Sequence, residues 1–406
     1  VQFSKELLLA KRRECEIMDA LVPNRSAIWR SDIARRRRTV RIPVTDFSIL
    51  DDPDGALGIL TQIARAECDA AAVEVDFLDP DIVDVGPFLV LGIMFERMAP
   101  LVTGGRVTQQ TMKVLEAVNL RQFLRMRPFG AKLKFGDIWA LPLERRRGSG
   151  TSTSENVAFE PSRAEIVADR TARHVDHWLS KIEPPSSLTT WGASKIKAFV
   201  GEILNNAERH GRTGGDGEWI AAGFMARREI KIEGEISTVH VCHLCFFNPG
   251  RPIAETITDS PATIRNQVDS YRRRHRGAGQ HHETLATVFA LQDGISRIDQ
   301  GEGMPSGGTG LMDIVEFANE VGKTDLPELS AKVAIMSGRA YIRFAQPFAR
   351  GLSSGDGEPR LQWFNADNDV MEPPAETHVK TLAKRFPGTL ISLRFVLDGS
   401  VKARDA

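Results

Sequence analysis

Residues 201–210 read GEILNNAERH, and within them Glu202, Asn206 and His210 stand at i, i+4 and i+8. On a helix that spacing puts all three on one face. An asparagine oxygen there can ligate Mg²⁺, a hard cation that prefers oxygen donors and holds phosphates. A carboxylate one turn earlier can orient or deprotonate a nucleophile beside a terminal phosphate. A polar stripe on a solvated helix would have the same spacing, so this stretch alone does not decide. Two further stretches follow in order. Asn248 and Gly250 lie in NPGRP after two strand-like segments, and GGTGL at 307–311 precedes an apolar helical run. Glycines let backbone N–H groups approach phosphate oxygens closely, and a helix start favours anions.

These residues need elements to hold them. The helix expected over about 188–210 has an apolar side made of Phe199, Ile203 and Ala207, suited to packing on a sheet. A helical pattern at 163–180 precedes it. Strand patterns follow at 218–230, 236–247, 332–338, 339–344 and 388–397. Upstream, residues 39–126 alternate between strands (TVRIPV, AAVEVDFL, GRVT) and helices (ALGILTQIARAE, GPFLVLGIMFERM, QTMKVLEAVNLRQFLRM). That alternation predicts an α/β layer with helices on a sheet. Residues 145–156, RRRGSGTSTSEN, have no apolar period and read as a linker.

With 406 residues the chain exceeds what one core usually holds, so two domains are expected. The expected organisation is a helical and basic segment at 1–38, an α/β domain at 39–142, a linker at 143–162 and a second α/β domain at 163–400. Net formal charge is zero, which gives the whole molecule no nucleic-acid signature. Only local arginines, at 35–38 and at Arg272, Arg273, Arg274 and Arg276, leave that contact open against a solvated-loop reading. Four scattered cysteines suit a reducing cytosol better than a disulfide scaffold. Cys242 and Cys245 form C-x-x-C around His243, but in a strand residues three apart point to opposite faces. Buried thiols are therefore expected rather than a zinc site. No apolar run approaches the ~18 residues of a membrane helix, and no signal peptide is read at the start, so a cytoplasmic location is expected.

The order of the three stretches resembles the histidine kinase-like (gyrase, histidine kinase and MutL) ATPase superfamily, whose nucleotide domain is the Bergerat fold. The resemblance covers about 230 residues and is nearest to anti-sigma-factor kinases. It implies ATP and Mg²⁺ as ligands, with Asn206 on the metal and Glu202 as the catalytic base. It assigns nucleotide contacts to Asn206, His210, Asn248, Gly250, Gly307, Gly308, Thr309, Gly310 and Leu311. Asn248 stands where the family has an aspartate that accepts from the adenine amino group, and its oxygen can still accept. Pro252 stands in place of the second glycine of that loop. The family's mobile lid would fall in the interval 254–306. Residues 39–142 resemble STAS-like anti-sigma-factor antagonists through VEVDFLD, the loop DPDIVDVG and the helix after it. That loop lacks the family's Ser or Thr phosphoacceptor. The resemblance implies a regulatory protein that hydrolyses ATP or phosphorylates a partner protein on serine or threonine. A non-catalytic ATP-gated switch and a nucleic-acid-coupled ATPase are the alternatives. A partner protein docking through the STAS-like unit, and a second copy of the chain, are the implied contacts.

Overall fold

Apolar residues in TVRIPV alternate, and the strand they form buries Ile42 and Val44 while Arg41 and Pro43 stay exposed. A computed structural model describes residues 15–25, 27, 39–69, 72–98, 101–128, 133–147, 163–211, 217–232, 235–292, 310–322, 329–348 and 360–397. The N-terminal unit contains α1 (Glu16–Leu21), β1 (Thr39–Val44), α2 (Pro53–Asp69), β2 (Ala72–Phe77), α3 (Gly86–Met98), β3 (Val102–Gly104), α4 (Gln109–Ala117) and α5 (Leu120–Phe123). Its three strands run parallel in the order β1-β2-β3.

Two details differ from the expected pattern here. The third strand comes just before GRVT. Gly105 has φ +147, and a Cβ there would sit 1.8 Å from the Val75 carbonyl oxygen, so the chain turns and only Val107 bridges Phe77. The helix expected over 110–126 breaks in two because Asn119 adopts the left-handed conformation, φ 61. Asparagine tolerates that region better than most residues.

The second sheet is built from β4 (Ile138–Arg146), β5 (Trp219–Ile232), β6 (Glu235–Asn248), β7 (Lys332–Phe344) and β8 (Val379–Leu397). Its order is β4-β5-β6-β8-β7, with every neighbouring pair antiparallel. The molecule is therefore mixed α/β, with one parallel and one antiparallel sheet. The boundary drawn at 142/143 runs through β4, an edge strand of this second sheet. Its basic tail disguises an alternation in which Leu141, Leu143 and Arg145 are buried. Residues 332–338 and 339–344 form one strand, bent at Gly338 where φ is +59. β8 begins nine residues before the stretch expected as strand.

The remaining helices are α6 (Ala164–Leu179), α7 (Thr190–His210), α8 (Ile253–Thr256), α9 (Ala262–Arg274), α10 (His282–Ala290) and α11 (Gly310–Val321), with a 3-10 turn at Ile257–Asp259. The described part of the interval expected as a lid, up to Gln292, is thus helical. It is anchored by buried Tyr271, whose ring lies 5.2 Å from Trp363 and 5.7 Å from Phe289.

Both faces of the five-stranded sheet are covered. Cys242, Leu244 and Phe246 join one core with residues of α6, α7 and α11. Cys245 and Phe247 join the other, which continues into α2 and α3 of the N-terminal unit. The two thiols sit on opposite faces, as strand alternation requires, and burial raises the pKa of both well above the usual thiol value. Asp84 pins the second face. Its fully buried carboxylate accepts from the Ile49, Leu50 and Gly86 N–H groups and from Ser392 Oγ at 2.8 Å. Around it, Asp51 meets Lys332 at 2.7 Å and Arg394 at 3.3 Å, and Asp81 meets Arg228 at 2.7 Å. Tyr341 donates to the Leu50 carbonyl at 2.8 Å. His243 stacks on Phe224 in the same layer, and burial, with Arg394 and Arg228 nearby, lowers its pKa to about 3.

Candidate functional site

α7 starts where Thr189 Oγ1 accepts from the Gly192 N–H at 3.0 Å, a side-chain cap that satisfies one free donor of the first turn. Phe199, Leu204 and Ala207 are buried, with the Phe199 ring 5.2 Å from Phe317 of α11. This packing fixes the rotation of the helix. The same rotation turns Glu202, Asn206 and His210 towards a cavity of about 840 Å³. Glu202 and His210 are half-buried and Asn206 is exposed.

The facing wall is sheet. Asn248 ends β6, Thr389 and Ile391 come from β8, and Ile335 comes from β7. A third wall is the chain after β6, with Arg251, Ile253, Thr256 and Ile257. The cavity thus has an apolar sheet side and a polar helix side. Lys197 and Asp169, an ion pair at 2.7 Å, also line it.

Helix and sheet are tied together at Asn248. Its Nδ2 donates to the Ala207 carbonyl at 3.3 Å, and its Oδ1 accepts from the Gly250 N–H at 2.7 Å. The Arg251 N–H donates to the Gly211 carbonyl at 2.9 Å. Gly250 is required by contact: a Cβ there would lie 2.0 Å from the Gly211 oxygen. Gly388 is required by both contact and conformation, with φ +98 and a virtual Cβ 2.1 Å from the Asn248 oxygen. Thr389 lies beside Asn248 in register. Its hydroxyl is 2.8 Å from Ser337 Oγ, which accepts from the Ile253 N–H at 2.8 Å and lies 3.3 Å from the Gly388 carbonyl. Arg251 braces the loop by donating to the Glu255 carbonyl and to Thr258 Oγ1.

Four residues expected at the site, Glu202, Asn206, His210 and Asn248, therefore line one cavity. Gly250 holds Asn248 in place. Gly310 opens α11, which packs on α7, and Leu311 lies in its first turn. Gly307, Gly308 and Thr309 lie outside the described residues, as do the four arginines at 35–38. Thr389 and Ser337 carry no motif of their own. They become visible only when register sets β8 beside β6 and β7.

Outside this cavity, His281, His282 and Glu283 bring ligand atoms within 4.8 Å of one another. Glu283 is already engaged by the Arg339 N–H and by Arg385 Nε, both at 3.1 Å. Guanidinium neighbours oppose a cation, and His281 Nδ1 accepts from the Glu283 N–H as a helix cap. The trio is accounted for as structure. Among the described residues no helix is long and apolar enough to cross a membrane. Comparison of the chain with protein-family models, curated proteins and solved structures returns no match.

Proposed function

We propose that the cavity binds ATP with Mg²⁺, and that the protein is a regulatory member of the histidine kinase-like ATPase superfamily. In this reading a Bergerat-type nucleotide unit is joined to an N-terminal STAS-like unit. The observation that carries it is the convergence of Glu202, Asn206 and His210, from one face of α7, with Asn248 from the end of β6 on a single cavity. A volume of about 840 Å³ falls within the roughly 300–1,000 Å³ usual for small-ligand sites. The helix layer over an antiparallel sheet supports the same reading.

The chemistry divides along the cavity. Ile253, Ile257 and Ile391 offer apolar surface for a flat base, and Asn248 with Thr389 offers its edge polar partners. The α7 side suits the phosphates. Asn206 presents an amide oxygen, the donor type a hard cation takes, and the cation's other ligands would be phosphate oxygens and water. Bound Mg²⁺ supplies neutralisation of phosphate charge. Glu202, one turn before Asn206, is placed to orient and deprotonate a nucleophile, either water or a Ser/Thr hydroxyl of a partner protein.

A second reading, an ATP-gated switch without turnover, has its own support. β8 carries Thr389 and Ile391 at the cavity and Leu390 and Ser392 against the N-terminal unit. A ligand on one face of that strand touches the backbone that holds the other.

Titration calorimetry with a non-hydrolysable ATP analogue and Mg²⁺ tests the site. The wild type should bind, and Asn206→Ala should bind at least about tenfold more weakly with an unchanged melting temperature. Equal affinities would remove Asn206 from the site, and no binding by the wild type would overturn the nucleotide reading.

A further inference from the structure

We infer that the cavity accepts a purine bearing a 6-oxo group, as in inosine nucleotides, as well as adenine, and that Asn248 is the residue responsible. The inference rests on the reading of the cavity as a nucleotide site and concerns the base rather than the phosphates.

The polar groups of the sheet wall are few. Asn248 and Thr389 are neighbours across β6 and β8, set among Ile335, Ile391 and Ile253. A base lying on that apolar surface meets its hydrogen-bonding partners there, because Glu202, Asn206 and His210 stand on the helix side.

The amide of Asn248 cannot be turned over without loss. The Gly250 N–H needs an acceptor, so Oδ1 faces it at 2.7 Å; the Ala207 carbonyl, which also accepts from the Gly211 N–H, would repel Oδ1, so Nδ2 faces it at 3.3 Å. An amide nitrogen has two hydrogens and an amide oxygen two lone pairs. Each internal bond consumes one, leaving one hydrogen on Nδ2 and one lone pair on Oδ1.

Thr389 adds an acceptor. The arrangement that satisfies every group has the Ile253 N–H and the Thr389 hydroxyl both donating to Ser337 Oγ while Ser337 donates to the Gly388 carbonyl. The hydroxyl hydrogen of Thr389 is then used internally and its oxygen faces the cavity with free lone pairs.

The wall thus offers one donor and two acceptors. Adenine presents a 6-amino donor and an N1 acceptor. A 6-oxopurine presents the reverse, an O6 acceptor and an N1–H donor. Adenine's amino group can donate to Oδ1 or Thr389 while Nδ2 donates to N1. A 6-oxopurine can receive Nδ2–H at O6 and donate N1–H to Oδ1 or Thr389. Neither base leaves a group of its edge unpaired, which is the usual source of strong discrimination. A carboxylate at position 248 would lack the donor and would leave O6 facing a negative charge.

The test is calorimetric titration of the full chain with ATP and, separately, ITP, each with Mg²⁺, for the wild type and Asn248→Asp. ITP is the cleaner probe because its base differs from adenine only at the 6-position and N1. The expected result is wild-type dissociation constants within about tenfold of each other, with Asn248→Asp weakening ITP relative to ATP by about tenfold or more. Wild-type ATP binding with ITP weaker by more than that margin overturns the inference and leaves the ATP reading standing. No wild-type binding of either nucleotide overturns both. An unchanged ITP-to-ATP ratio in an Asn248→Asp protein that melts like the wild type overturns the role given to Asn248.

Discussion

Glu202 is the residue on which enzyme and switch diverge. It lines the cavity one helical turn before Asn206, and its carboxylate is a group there suited to take a proton from water or a hydroxyl. Glutamine keeps its size and reach but cannot accept that proton. If the protein turns ATP over, Glu202→Gln should keep ATP affinity and lower turnover by at least about a hundredfold. Phosphate release and protein phosphorylation are the measurements, with a lysate as the source of acceptors. A variant that turns over as fast as wild type removes Glu202 as the base, and a silent wild type that still binds ATP favours the switch. At this scale the sequence was informative where one helix carries the whole message. Glu202, Asn206 and His210 share a face because 3.6 residues make a turn, and nothing distant is needed to see it. Thr389 was hidden because its role depends on register with Asn248, a contact 141 residues away in the chain.

Elements were legible in proportion to how local their causes are. α3 occupies the residues GPFLVLGIMFERM that read as a helix, and α7 begins at its Thr189 cap. β4 reads in the sequence as domain end and linker because three consecutive arginines mask its alternation. Buried Arg145 is matched by Glu218 at 2.7 Å and Glu96 at 2.7 Å, partners that only the fold brings close. β7 reads in the sequence as two strands because Ser337 and Gly338 look like a turn. They are instead a bulge with a purpose, placing Ser337 Oγ beneath Thr389. Gly388 makes a sharper test of how β8 meets β6. A methyl there would face the Asn248 carbonyl at 2.1 Å in a backbone with φ +98. Gly388→Ala should cost about 2 kcal/mol or more of stability. Gly58→Ala, on α2 with nothing within 4 Å of the added methyl, should add up to about 1 kcal/mol. Urea unfolding of both variants decides it, and a Gly388→Ala protein as stable as wild type would mean the β6–β8 junction is looser than described.

On the scale of the whole molecule, the N-terminal unit and the five-stranded sheet share one core. Residues 163–406 alone would lack β4 and would uncover Phe224, Phe247, Met336 and Leu390 together with the Lys332 and Arg394 partners of Asp51. That fragment should aggregate or melt without cooperativity, whereas the full chain should give one sharp transition. Size-exclusion chromatography and calorimetry would show it, and a monomeric fragment that binds ATP like the full chain would make the two halves separable. The shared core also bears on the loop DPDIVDVG of the unit expected to dock a partner protein. Ile82 and Asp84 of that loop are already buried, with Asp84 bonded to Ser392 of the chain's own sheet. Any outside protein seeking the same surface competes with a ligand tethered beside it, whose effective concentration is on the order of millimolar. Occupancy of that loop is then governed by how far the internal contact is weakened, and abundance of the outside protein alone counts for little until it is.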